Sequence, residues 1–171
     1  MKAIVAVDLY WGIGYKGELL QWIPEDLKFF KEKTLGKVVI MGRETFESLP
    51  GKKPLKDRLN VVLSKNEKFE NENLTICRSL DELFSTIANY PIDDVFVIGG
   101  ESIYAQLLPF CSQAYVTKIQ NTYVADKYFI NLDKLEAWEE VSTSEMKNYD
   151  HIQYSFVKYV NNKVKENTSP I

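Results

Sequence analysis

Apolar residues in this chain fall in short blocks separated by polar, helix-forming stretches. Lys2–Val7 is a run rich in Val, Ile and Ala, as a strand buried on both faces needs. Similar runs recur at residues 37–41, Leu59–Leu63, Thr75–Cys77, 94–98 and 114–119. Helix signals lie between them. Pro24-Glu25-Asp26 opens a segment with proline at the first position and acids in the first turn, and Leu27 and Phe30 share one face of it at i, i+3 spacing. Residues 42–49 predict a short helix, and Ser79-Leu80-Asp81-Glu82 reads as a capping box opening a helix to Ala88. Residues 102–108 predict a helix stopped by Pro109. In residues 152–160 the even positions are mostly apolar or aromatic, which predicts an edge pair closing the sheet.

Strand–helix alternation predicts an α/β fold, a mostly parallel central sheet with helices on both faces and an antiparallel C-terminal edge strand. One domain is expected over residues 1–160. The polar tail, residues 161–171, is expected to fray.

Composition narrows the chemistry. The chain has 171 residues, 45% hydrophobic, enough for one substantial core. A net charge of -3 disfavours a nucleic-acid partner, which calls for a basic face. One histidine, His151, and two cysteines, Cys77 and Cys111, exclude most zinc and dinuclear sites, so no metal is expected. No apolar run approaches the roughly 18 residues of a membrane span. The chain is therefore expected to be cytoplasmic, away from membranes, with both cysteines as buried thiols of no assigned role. Chemistry must rest on carboxylates, backbone and a borrowed cofactor.

Gly12-Ile13-Gly14-Tyr15-Lys16-Gly17 matches G-x-G-x-x-G after a strand. In a dinucleotide fingerprint, however, the helix opens inside the glycines. Here the helix signal waits until Pro24, so the glycines are expected in a long loop that could serve as a lid. Gly99-Gly100 ends a strand directly before a helix, where ligands of open α/β sheets bind; it reads equally as a tight turn. Gly42-Arg43-Glu44-Thr45 repeats the arrangement, and two such places suit a ligand with two phosphate regions. Asp26 is either a surface acid favoured by the helix dipole or a carboxylate facing an apolar cleft, which must then find donors.

Seven segments, Ile4-Val5-Ala6, Gly12-Ile13-Gly14, Ile23-Pro24-Glu25-Asp26-Leu27, Val39-Ile40-Met41-Gly42-Arg43, Arg58-Leu59-Asn60, Val97-Ile98-Gly99-Gly100 with Tyr104, and Tyr115-Val116-Thr117, keep the order and spacing of one family. Over essentially the whole of residues 1–160 the chain resembles dihydrofolate reductase. The resemblance implies hydride transfer from NADPH to C6 of dihydrofolate with protonation at N5, in a monomer. It implies that Asp26 binds the pterin, favours its protonated form and works with a water, oriented by the Thr117 hydroxyl. Ile4, Val5, Ala6, Leu27, Phe30, Leu49, Leu55 and Ile98 match the walls of the substrate pocket. Arg58 matches the residue that holds the glutamate α-carboxylate; by itself it reads as a strand-edge charge. For the cofactor, Ala6, Ile13, Gly14 and Leu19 match lid and nicotinamide contacts, with Ile98 and Tyr104 beside the nicotinamide. Gly42, Arg43, Glu44, Thr45, Leu63, Ser64, Lys65, Arg78 and the run Gly99, Gly100, Glu101, Ser102, Ile103 match phosphate and adenosine contacts. The Gly99–Gly100 peptide is expected to be cis, as in the family. Leu19, Gln21 and Tyr104 join Asp26 and Thr117 around the reacting atoms.

Three departures stand out. Gln21 falls where the family's lid carries tryptophan, and Trp22 comes one place late, which bears on the active-site water and on inhibitor contacts. Glu44 and Ser102 weaken the case for NADPH over NADH, while Arg43 and Arg78 favour the phosphate. Ile130 replaces a common proline. Two other readings remain: a pyrimidine reductase of the riboflavin pathway, disfavoured by Asp26 and Arg58, and a non-catalytic NADPH-binding module, encouraged by Gln21 alone.

Overall fold

The computed structural model describes residues 1–167. In chain order the elements are β1 (Lys2–Val7), β2 (Gly12–Tyr15), β3 (Glu18–Leu19), α1 (Pro24–Thr34), β4 (Val38–Gly42), α2 (Arg43–Ser48), β5 (Leu59–Leu63), β6 (Thr75–Cys77), α3 (Leu80–Ile87), β7 (Val95–Gly99), α4 (Glu101–Leu107), β8 (Gln113–Ile119), β9 (Lys127–Tyr128), β10 (Trp138–Thr143), β11 (Lys147–Tyr149) and β12 (Ile152–Asn161). The central sheet runs β10-β12-β8-β1-β7-β4-β5-β6, with β11 paired to β12. From β8 to β6 every pairing is parallel; β12 runs antiparallel to β8, and β10 and β11 antiparallel to β12.

The apolar runs are continuous because both faces are covered. Along β4, Val38 and Ile40 join the main core with Val61, Val97, Leu83 and Leu107, whereas Val39 and Met41 join a second core with Ile4, Phe46, Val62 and Phe96 on the opposite face. At α3 the Ser79 side chain accepts from the Glu82 N–H at 3.1 Å. The Glu82 carboxylate reaches back to the Arg78 N–H at 2.6 Å, one residue before the N-cap position a capping box predicts.

Three departures from the sequence reading concern weakly patterned segments. The C-terminal strand is not the outermost: β10 lies beyond it, missed because only Trp138 of that strand is buried. The glycine segment is a hairpin, β2 paired with β3 and turned at Lys16 (φ 49) and Gly17 (φ 82), in a small sheet ordered β3-β2-β9. The third lies in the tail, which was expected to fray from Asn161. Asn161 still belongs to β12, the Asn162 N–H donates to Ala137 O at 2.7 Å, and the Lys165 N–H donates to Pro109 O at 2.9 Å. Residues 168–171 of that tail lie outside the described residues. The single histidine sits exposed in the turn between β11 and β12 at φ 64. Among the described residues no helix is long and apolar enough to cross a membrane, and no cluster of His, Cys, Asp and Glu could hold a metal ion.

Candidate active site

Helix α1 meets the sheet along Ile23, Asp26, Phe30 and Thr34, a stripe at helical spacing. Its ends, Ile23 and Thr34, are buried, and the Thr34 hydroxyl donates back to Phe30 O at 2.8 Å. The stripe therefore carries Asp26 to the sheet, where the Thr117 hydroxyl of β8 donates to its Oδ1 at 2.5 Å. Burial pushes the Asp26 carboxyl above the ordinary carboxylate value, and the Thr117 bond opposes that shift. Oδ2 receives no hydrogen bond from the described residues. Leu27 flanks the stripe and stays 36% exposed, so of the expected pair only Phe30 joins the apolar cluster.

That cluster brings together Ile4, Phe30, Leu49, Leu55 and Ile98. Ala6 packs close by with Ile23, Ile119 and Tyr154. Strand alternation sends Val5 to the other face, into the main core, so its side chain does not join the expected wall. Arg58 stands at the rim, its guanidinium 5.8 Å from the Phe30 ring centre and its buried Nε without a hydrogen-bond partner among the described residues. Burial lowers its pKa. Its backbone is held by Asn60, which accepts the Leu55 N–H at 2.8 Å and donates to the Leu55 and Arg58 carbonyls at 2.9 and 3.0 Å. The sequence signal of this structural role is a polar residue, Asn60, inside the otherwise apolar strand Leu59–Leu63.

At the C-terminal ends of β4 and β7 the chain packs closely on itself. The Gly99–Gly100 peptide is cis and Gly99 has φ +130. A Cβ at Gly100 would stand 3.1 Å from Thr45 Oγ1, and one at Gly42 3.0 Å from Ile103 Cγ1. Gly42 and Gly100 are the N-cap residues of α2 and α4, and neither helix has a side-chain cap. The Tyr104 hydroxyl, buried, donates to Ile4 O at 2.6 Å, joining this corner to the apolar cluster; burial raises its pKa. The expected cations are engaged. Arg43 Nη1 lies 3.0 and 2.9 Å from the two Glu47 oxygens. Arg78 donates to the carbonyls of Ser64, Asn66 and Phe69 at 3.2, 2.6 and 2.7 Å and so organises the loop after β5. Leu63 and Ser64 are buried there, while Lys65, Glu44 and Ser102 are exposed. Glu101 accepts the Tyr128 N–H at 2.9 Å, tying α4 to β9.

The segment between β1 and α1 is fastened at both ends. Buried Asp8 accepts the N–H groups of Tyr10 and Gly12 on Oδ1 at 2.9 and 2.8 Å, and that of Tyr123 on Oδ2 at 3.0 Å. The Tyr123 hydroxyl donates to Gln21 Oε1 at 3.1 Å. Gly14 pairs with Leu19 across the hairpin, and Ile13 packs on the main core. Leu19 and Trp22 are 51% and 52% exposed, so Gln21, not its neighbour Trp22, takes the inward place. Asp8 and Tyr123 were missed: each acts through a contact distant in sequence.

A family model described as dihydrofolate reductase matches residues 1–161. A dihydrofolate reductase of Bacillus subtilis is 35% identical over 160 residues, spanning 91% of both chains. Bifunctional dihydrofolate reductase-thymidylate synthases of Glycine max and Arabidopsis thaliana are each 38% identical over 93% and 77% of this chain. The chain spans only 33% and 26% of their lengths. Among solved structures, dihydrofolate reductase from Enterococcus faecalis complexed with NADP(H) and RAB-propyl superposes with a TM-score of 0.84 at 34% identity, covering 94% of this chain and 95% of that one. With a family model matched over residues 1–161 and a structural match covering 94% of its length, the chain, whose fold brings Asp26 of α1 against β8 and carries the paired glycine turns, belongs to the dihydrofolate reductase family.

Proposed function

We propose that the protein reduces 7,8-dihydrofolate to 5,6,7,8-tetrahydrofolate with NADPH. One observation carries the reading: a half-buried carboxylate, Asp26, fixed at Oδ1 by Thr117, raised in pKa by burial and, among the described residues, unbonded at Oδ2. Such a group accepts paired N–H donors of a flat heterocycle and stabilises the protonated form of that ring. Ile4, Phe30, Leu49, Leu55 and Ile98 cover its apolar faces, and Arg58, with unspent donor capacity at Nε, takes the carboxylate of the substrate tail.

The residues present fit the nicotinamide cofactor. The glycines at 42, 99 and 100 leave a cradle that side chains would close. When bound, NADPH would supply the hydride for C6, and Asp26 would favour the substrate carrying the accompanying proton at N5. Around the cofactor the protein's own work is positional: Gly99, Gly100 and Thr45 shape the approach, Tyr104 anchors β1 against α4, and the β2–β3 hairpin with Gln21 covers the site and limits water. Leu19, Gly14, Ile13 and Ala6 would hold the nicotinamide side, and Leu63, Ser64, Lys65 and Arg78 the adenosine side. We place the protein in the cytoplasm as a monomer, one domain over residues 1–160. Loss of the NADPH absorbance band on adding dihydrofolate, measured beside NADH and beside a no-substrate control, tests the reading. No turnover with intact NADPH binding overturns it.

A further inference from the structure

We propose that Glu25 is a positioning residue for Asp26, gripped by Lys147 and Tyr154 so that the first turn of α1 aims the neighbouring carboxylate. The proposal rests on the reductase reading above.

Helix α1 begins without the usual restraint: its N-cap is Ile23, whose side chain makes no capping bond, and proline at the first position removes one N–H. Glu25 takes over the restraint. Lys147 Nζ lies 2.9 Å from its Oε1, and the Tyr154 hydroxyl donates to its Oε2 at 2.6 Å. Lys147 and Tyr154 are directly opposed across the β11–β12 ladder, so one cross-strand pair takes both oxygens of one carboxylate. The next residue along the helix, Asp26, is bonded to Thr117 on β8. Tyr154 is itself opposite Ile119, and Phe156 opposite Thr117, in the β12–β8 ladder. Two successive acids of one helical turn are thus fastened to adjacent strands of the sheet. Successive residues point about 100° apart around a helix, so two such fastenings fix the rotation of that turn about its axis, which neither bond alone does.

Tyr154 is 1% exposed, and its hydroxyl pKa is pushed up to about 12 by burial first, then by Glu25, with the Asp26 charge also contributing. Glu25 is lowered by the Tyr154 and Lys147 bonds. The titratable groups facing Glu25 are Lys147 and the neutral Tyr154 hydroxyl from the C-terminal hairpin and Lys28 from its own helix, and Glu145 faces Lys147 in turn.

The test uses the full chain with Glu25→Ala, Glu25→Gln and Tyr154→Phe. For each, kcat, both KM values, the pH profile of kcat, thermal unfolding and the carbon-13 titration of the Asp26 carboxyl are recorded. Glu25→Ala is expected to lower kcat about 10-fold, from a shift of a fraction of an ångström in the reacting geometry, with KM for NADPH unchanged. Its Asp26 titration moves down toward the ordinary carboxylate value, because the first turn loosens into solvent and Lys147 loses its neutralising partner. Glu25→Gln, which still accepts from Tyr154, recovers most of kcat, and Tyr154→Phe shows a smaller loss than Glu25→Ala. A folded Glu25→Ala with wild-type kcat, pH profile and Asp26 titration overturns the proposal, whatever its melting temperature. Should that variant not fold, Tyr154→Phe decides by the same criterion. If the wild type itself does not turn over dihydrofolate, the reductase reading fails, and the Asp26 titration alone still decides the positioning role.

Discussion

The Thr117 hydroxyl and the Asp26 carboxylate meet at 2.5 Å although 91 residues separate them. The bond favours the ionised acid, while burial disfavours it and is the larger of the two influences. Replacing Thr117 by valine, a change of shape smaller than its change of polarity, removes only the favouring part. The Asp26 pKa then rises further, and the limb of the kcat profile that reports it moves to higher pH. A pH–rate series on wild type and Thr117→Val checks this; an unmoved limb would dissociate Asp26 from the step.

Asp26→Asn has a stability signature as well as a kinetic one. A carboxyl whose pKa is higher folded than unfolded binds more protons when folded, so it lowers stability as pH rises through the window between the two values. Above that window the full penalty is present, and below it there is none. The asparagine variant is expected to melt higher than wild type at neutral pH, with the difference vanishing under acid conditions. Turnover at neutral pH falls by about 10²-fold or more and partly returns at low pH, where substrate arrives protonated.

Arg58→Leu separates substrate from cofactor. Losing two charge-assisted hydrogen bonds, each worth about 1.5 kcal/mol, raises KM for dihydrofolate on the order of 10²-fold. KM for NADPH is unchanged. Stability to urea is little altered, since the Arg58 Nε has no hydrogen-bond partner among the described residues to lose. An unchanged KM for dihydrofolate returns Arg58 to a structural role.

Tyr123→Phe keeps the backbone bond to Asp8 and deletes only the hydroxyl that holds Gln21. One hydrogen bond of about 1 kcal/mol predicts NADPH dissociating about 5-fold faster in stopped-flow chase experiments. Gln21→Ala should give the same acceleration, and the double variant no more than either single one. Additive effects would show that the two residues act on the segment separately.

Gly99→Ala places a side chain at φ +130, at a cost of about 1–3 kcal/mol in backbone strain. The expected outcome is a lower melting temperature together with weaker NADPH binding in titration. Unaltered cofactor affinity would move the binding corner away from β7.

Much of this arrangement was legible in the residues themselves. The strands buried on both faces announced themselves as unbroken apolar runs, and Ser79 marked the start of α3 through its cap. Asp26 was visible as an acid in a first turn, but its facing was not, because the apolar Leu27 beside it is the more obvious residue to turn inward and only the contact with Thr117 decides between them. β10 was hidden because an edge strand with one buried residue carries no alternation. Arg43 and Arg78 matched the family's cations, yet local partners, Glu47 and three loop carbonyls, occupy them here. Asp8, Tyr123 and Glu25 act through partners far along the chain, and a single sequence carries no mark of such pairings.

The placement of β1 has a further consequence, in time rather than in space. Lys2 lies opposite Phe96 on one side and Gln113 on the other, so both neighbours of this strand are synthesised long after it. Its apolar side chains stay unshielded until β7 and β8 have emerged, and the loop closed by that pairing is a slow one to form. Completion of this sheet is therefore expected to wait until β8 has been synthesised, which makes the interval before β8 appears the one in which chaperones and aggregation compete for the unpaired strand.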